Sequence, residues 1–317
     1  MAVIADAIVQ LCQVLVVLAL APLLAGYVRK LKARLVGRQG PPLVQPYRDL
    51  LRLIRKEVVL AHSASWVFRV TPYLVFASTW VAAALVPTFA TGLIISYAAD
   101  MIAIVALLGS ARFMLALAGL DVGTSFGGIG SSREMMIASL AEPAMLMVVF
   151  TVALLAGSTQ LSSIAAFMQG GVGLRVSLAL ALVALVMVAL AENARIPIDN
   201  PATHLELTMV HEAMILEYSG RHLALIEAAS FVKLLLYVSV IACIFTPWGI
   251  AASGQGFAAY LAGLAAYGVK LAAAGFLLAV FETAIAKMRV FRVSDFLGAA
   301  LMLGLLATLL LFVSRVT

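Results

Sequence analysis

Apolar residues along this chain come in long uninterrupted runs. They do not alternate like a half-buried strand, and they do not form the narrow stripe of a surface helix. Eight such runs are long enough to cross a bilayer. They cover residues 3–26, 70–89, 97–120, 135–156, 176–191, 228–246, 257–281 and 296–314. Two uncharged stretches, 70–99 and 234–269, are too long for one helix each. Pro87 and Thr91-Gly92 break the first. Pro247-Trp248-Gly249 and the Gly/Ser/Gln patch ending at Gly256 break the second. The pattern predicts an all-α integral membrane protein with eight transmembrane helices, forming one membrane domain over residues 1–317. A transmembrane barrel is disfavoured because its strands alternate apolar and polar residues.

Composition narrows this further. The chain is 64% hydrophobic and 11% charged, whereas soluble domains carry about 25% charged residues. A soluble enzyme, a disordered chain and a fibrous repeat are all excluded on that basis. The two cysteines, Cys12 and Cys243, lie inside apolar runs. Two cysteines are too few for an iron–sulfur cluster, so no cofactor is expected in this chain and any redox centre belongs to another subunit. The N-terminus lacks a basic stretch before its first apolar run, so that run reads as a retained span.

Charge sets the expected orientation. With the N-terminus outside, the inner loops hold fifteen basic residues, against Arg175 and Arg315 on the other side. The positive-inside rule then places both termini on the outer (periplasmic) side and the long loops in the cytoplasm. Residues 28–66 form a basic cytoplasmic loop. Its segment 29–57 has nine basic and two acidic residues. Pro46 opens an amphipathic interfacial helix there, with Tyr47, Leu50, Leu51, Ile54 and Val58 on one face. The basic residues fit anionic lipid or a docking surface for a soluble partner. Docking candidates are Arg34, Arg38, Arg48, Arg52, Arg55, Arg133, Arg195 and Arg289. Nucleic acid is not expected, since aromatics are not interleaved with the charges.

A few charges fall where charge is costly. Arg112, Glu142, Lys233 and Lys270 lie within expected spans, and Glu192 and Glu282 lie at span ends. A charge at mid-membrane costs roughly 2.5–3.5 kcal/mol on insertion scales, and such groups mark ion pairs or proton paths. Arg112 reads equally well as a snorkelling side chain. The acidic cytoplasmic loop, 192–227, contains Glu192, Asp199, Glu206, Glu217 and Glu227, with His204 and His211. Asn200 and Pro201 suit a helix start, and that helix is expected to reach about residue 217. The fragment HEAMI is not a zinc-protease motif, because Ile215 stands where the second histidine is required. No metal site is expected. No phosphate-binding glycine loop or nucleophile triad is present in the sequence.

Residues 37–57, GRQGPPLVQPYRDLLRLIRKE, resemble the first inner loop of the membrane subunit shared by respiratory complex I (subunit 1 or H) and the group 4 nickel–iron hydrogenases. Residues 192–220 resemble the later loop, with E-x-x-R-x-P-x-D from Glu192 to Asp199, Glu206-Leu207, and EYSG at 217–220. GLDVG at 119–123, SREMM with Glu142-Pro143, Lys233, and Phe281-Glu282 with Lys287 and Arg289 look like the formate hydrogenlyase and hydrogenase-4 branch. One departure stands out. Ala202 and His204 occupy positions where the family commonly has glutamates.

The resemblance implies a membrane-anchoring, proton-conducting subunit of a bacterial or archaeal cytoplasmic (inner) membrane. Its implied partners are hydrogenase-like large and small subunits, antiporter-like pumping subunits, small membrane subunits and the lipid bilayer. Nickel–iron and iron–sulfur centres would sit on the partners, and a quinone is possible. The implied proton path uses Glu142, Glu192, Asp199, Glu206, Glu217, Glu227, Lys233, Lys270 and Glu282, with His204 and His211 as relays. Two other functions stay open: a complex I-type subunit lining a quinone chamber, and a stand-alone secondary transporter.

Overall fold

The computed structural model describes residues 2–171, 175–195, 210–285 and 292–316. Its helices follow the apolar runs. They are α1 (Ala2–Leu35), α2 (Gln45–Ile54), α3 (Trp66–Leu85), α4 (Met101–Asp121), α5 (Ser125–Ala156), α6 (Leu161–Gln169), α7 (Val176–Glu192), α8 (His211–Ile215), α9 (Gly220–Phe245), α10 (Phe257–Ala284) and α11 (Val293–Val316). Seven of them are long and apolar enough to cross a membrane, and α7 is a shorter apolar helix of 17 residues. At 1.5 Å per residue α7 is roughly 26 Å long, close to the hydrocarbon thickness. The eight expected spans are therefore all helices. The chain is an all-α membrane protein.

Helix α9 is the hub. Its apolar window is 67% buried, against 22% for α10 at the periphery. Leu235, Leu236, Tyr237 and Ile244 of α9 pack with Val17 and Leu24 of α1, Ile104 of α4, Val148 and Val152 of α5, and Leu185 of α7. These close-packed side chains make the main core.

The two ends of the bundle are built differently. At one end, β1 (Ala90–Thr91) pairs in parallel with β2 (Ala251–Ala252), joining the two long connections that follow α3 and α9. A 3-10 helix, Ile94–Ala98, and α6 also lie at this end. Gln13 of α1 donates from Nε2 to the Val86 carbonyl at 3.2 Å. The other end carries α2, α8 and the charged connections. There Tyr47 of α2 donates its hydroxyl to the Ala19 carbonyl. Pro22 interrupts the α1 hydrogen-bond ladder in the same turn. Burial raises the Tyr47 phenol above its ordinary pKa.

Several helices overrun the apolar pattern at the charged end. Helix α1 continues nine residues past Gly26, and α5 starts at Ser125, not near 135. Thr124 caps α5 through its side chain, accepting from the Gly127 amide at 3.3 Å. A Cβ on Gly127 would meet the Gly119 carbonyl at 2.1 Å, so the glycines let α5 cross α4 closely. Helix α2 matches the expected amphipathic helix, but Leu51 and Ile54 stay exposed. Within the acidic loop the described helix is only His211–Ile215. The N-terminal part of the expected helix, with Asn200, lies outside the described residues.

Candidate functional site

Arg112 is the centre of a buried ion-pair network. It projects from α4 with its side chain 4% exposed. Its Nε lies 3.0 Å from Glu134 Oε1 of α5, and its Nη2 pairs with Glu192 at the end of α7. Lys233 of α9 meets the same Glu192 oxygen at 3.0 Å. Glu142, two turns beyond Glu134 on α5, lies 3.9 Å from Arg112 Nη1. Gly109 on α4 makes room for that carboxylate, since a Cβ there would stand 3.4 Å from Glu142 Oε1. Glu142 and Glu192 also share a small crevice with Tyr237. Glu142 keeps 41% of its side chain exposed, so it sits at the edge of the network.

A second network lies nearer the charged end. Glu282 of α10 accepts from Lys32 Nζ at 2.9 Å and lies 3.4 Å from Arg195 Nη1. Two cations face three carboxylates in the first network, and two cations face one carboxylate in the second. The formal charges of the two together sum to zero. Isolated buried charges are heavily penalised, so this balance is what lets both networks persist in an apolar bundle.

The networks meet across one cavity of about 410 Å³. Its charged wall includes Arg29, Lys32, Arg112, Arg195 and Lys233 opposite Glu134, Glu192, Glu212 and Glu282. His211 of α8 lines it as well. Burial pushes the His211 imidazole below its ordinary pKa, opposed by Glu134. Burial pushes Glu212 up, with Glu227 adding to the rise. Burial also lowers Arg195, against the pull of Glu282. The cavity wall thus combines groups held charged by partners with groups pushed towards neutrality.

The structure sorts the sequence candidates. It brings Glu142, Glu192, Lys233, Glu282 and His211 to the two networks and their cavity. Glu227 is half-buried on α9, within electrostatic reach of Arg29, Asp49 and Arg52. Glu217 is exposed beyond α8, and Lys270 lies apart on α10. Asp199, His204, Glu206 and Arg289 lie outside the described residues. Arg34, Arg38, Arg48, Arg52 and Arg55 are exposed, as a docking face requires. Arg133 is half-buried. Arg195 turns inward to Glu282 instead of facing outward, because that carboxylate offers it a buried counterion.

Sequence reasoning left Glu134 and Lys32 out of the site and did not settle Arg112. The eight-residue spacing of Glu134 and Glu142 on one helix, opposite a lone arginine in the preceding span, is the signal that finds them. The EYSG motif acts mainly as a clamp. Tyr218 stacks on Phe68 at 3.9 Å and donates to the Phe68 carbonyl at 3.0 Å. Ser219 Oγ both accepts from the Val59 amide and donates to the Val59 carbonyl. Gly220 has φ +53°, and a Cβ there would stand 2.6 Å from the Glu57 carbonyl. This clamp fixes the acidic loop against the basic one.

A family model described as NADH dehydrogenase matches residues 8–313. The chain belongs to the NADH dehydrogenase family, that of complex I subunit 1/H. Within the family it resembles the hydrogenase-linked branch. It is 34% identical over 282 residues to formate hydrogenlyase subunit 4 of Escherichia coli, covering 88% of this chain and 90% of that protein. It is 34% identical over 241 residues to hydrogenase-4 component C of the same organism, covering 76% of each. The fold matches a chain of the membrane-bound sulfane sulfur reductase, an archaeal respiratory membrane complex. The TM-score is 0.79 at 20% identity, over 96% of this chain and 99% of that one. A family member with these helices is a multi-pass protein of the inner membrane.

Proposed function

We propose that this chain anchors a cytoplasmic hydrogenase-like redox module to the membrane and conducts protons between that module and antiporter-like pumping subunits. The observation that carries this reading is the run of ionisable side chains. It passes from Lys32, Arg195 and Glu282 at the charged end, around the cavity, to Lys233, Glu192, Arg112 and Glu142 within the bundle. A proton relay needs titratable groups linked by short contacts or water, and a polar cavity of this size holds several waters. The exposed arginines of α2 offer the module a cationic docking face. The relatives of this chain are subunits of formate hydrogenlyase and hydrogenase-4. Nickel–iron and iron–sulfur chemistry then belongs to the partners. The charged end faces the cytoplasm in this reading, in line with the basic loops.

A quinone chamber is the second reading. Its support is the cavity, whose apolar wall includes Val75, Leu108, Leu115, Ile226 and Phe231. The many charges on the same wall favour water and ions over an apolar ring.

The test is Glu142→Gln in the complete complex in sealed vesicles. Among the described residues Glu142 makes one long ion contact, so the fold tolerates its loss. The expected outcome is normal assembly and redox turnover, with proton translocation lowered at least tenfold. Full translocation, or failure of the complex to assemble, overturns the proton-path assignment.

A further inference from the structure

Lys270 is a mid-span charge that lies outside both networks. It sits midway along α10, 13 residues from Phe257 and 14 from Ala284. That leaves roughly 20 Å of helix on either side. A lysine stem reaches about a third of that distance, so Lys270 cannot snorkel to either interface. The side chain is half-buried, and the titratable group felt across the α9–α10 seam is the Cys243 thiol. No carboxylate pairs with Lys270 among the described residues. Glu282 on the same helix is about 18 Å farther along and already holds Lys32 and Arg195.

The surface around Lys270 is open. Val269 is 70% exposed and Leu277 66% exposed on the outer side of α10. Ala262 and Ala273 are exposed eight residues before and three after Lys270, so a neighbouring helix backbone can come close there. Lipid headgroups do not reach mid-span, which leaves a protein carboxylate as the counterion.

We propose that this face of α10 receives a transmembrane helix of another subunit of the complex, and that an aspartate or glutamate on that helix pairs with Lys270. The inference rests on the chain working within a multi-subunit membrane complex. It does not depend on the proton path.

The test compares Lys270→Arg, Lys270→Met and Lys270→Glu in the complex purified from membranes, with the amount of this chain as the folding control. Lys270→Arg should keep the full subunit set. Lys270→Glu and Lys270→Met should lose one membrane subunit at least fivefold relative to this chain. A reciprocal acid-to-lysine change on that subunit should restore it to Lys270→Glu. A photo-crosslinking residue at Val269 or Leu277 in the otherwise unaltered complex gives a second measurement. The expected adduct maps to a helix of another subunit with an acidic residue near mid-span. Adducts only to lipid or to a second copy of this chain overturn the proposal, as does an unchanged subunit set in Lys270→Met. Subunit content is read without proton translocation, so failure here is distinguishable from failure of the Glu142→Gln test.

Discussion

The two ends of the bundle solve opposite problems. The end with β1 and β2 is joined mostly by backbone and neutral groups, with no ion-pair network among the described residues. There the strand pair and the Gln13 bond to Val86 hold the helices, and the Asp100 carboxylate caps α4 and accepts from the Thr159 hydroxyl. The other end holds eight charged side chains in two networks around a cavity. The difference teaches where rigidity and responsiveness are separated. Hydrogen bonds and packing fix the frame at one end, and opposed charges lining a cavity hold the other.

The largest expected effect comes from breaking the charged end at its centre. Arg112→Leu leaves Glu134 and Glu192 without their shared cation, which should cost about 3–5 kcal/mol, as for other broken buried pairs. Thermal inactivation of the purified complex measures it. Lys233 alone cannot offset both carboxylates, so a loss below 1 kcal/mol would show that the network is better hydrated than its burial suggests. Next comes the strand-paired end. A Cβ on Gly263 would meet the Phe89 carbonyl at 2.6 Å, so Gly263→Val should destabilise by about 1–3 kcal/mol through overpacking. Proton translocation per redox turnover should stay unchanged, which separates frame from function. Smaller still, Ser239→Ala removes the buried 2.7 Å bond to Tyr267 and should cost about 1 kcal/mol in the same assay.

The smallest effect is a pH dependence at the cavity. The His211 pKa is lowered in the fold from an ordinary 6.5. Below that value the unfolded chain binds a proton that the folded chain resists, so stability falls as pH drops. His211→Gln should flatten this slope on the acid side of 6.5 and change nothing above it. A melting series from pH 5 to 8 is the measurement.

The spans were legible because an apolar run of bilayer length has few folded alternatives. The start of α5 was not, since its Gly- and Ser-rich opening reads as a loop. It becomes helical because Thr124 caps it and because Gly127 and Gly130 permit close packing on α4 and α8. Single charges in spans pointed to Glu142, Glu192, Lys233 and Glu282. Their partners were hidden, because Arg112 finds Glu134 and Glu192 only once α4, α5 and α7 are packed. Arg195 looked like a surface cation for the same reason. Its carboxylate lies 87 residues away in sequence.

Glu192 and Arg195 stand three residues apart, yet each is gripped by a different network. Between them Ala194 adopts φ +46°, a left-handed conformation that costs a non-glycine residue about 1–2 kcal/mol. This short turn is held at both ends, and its backbone is a direct covalent tie between the two networks.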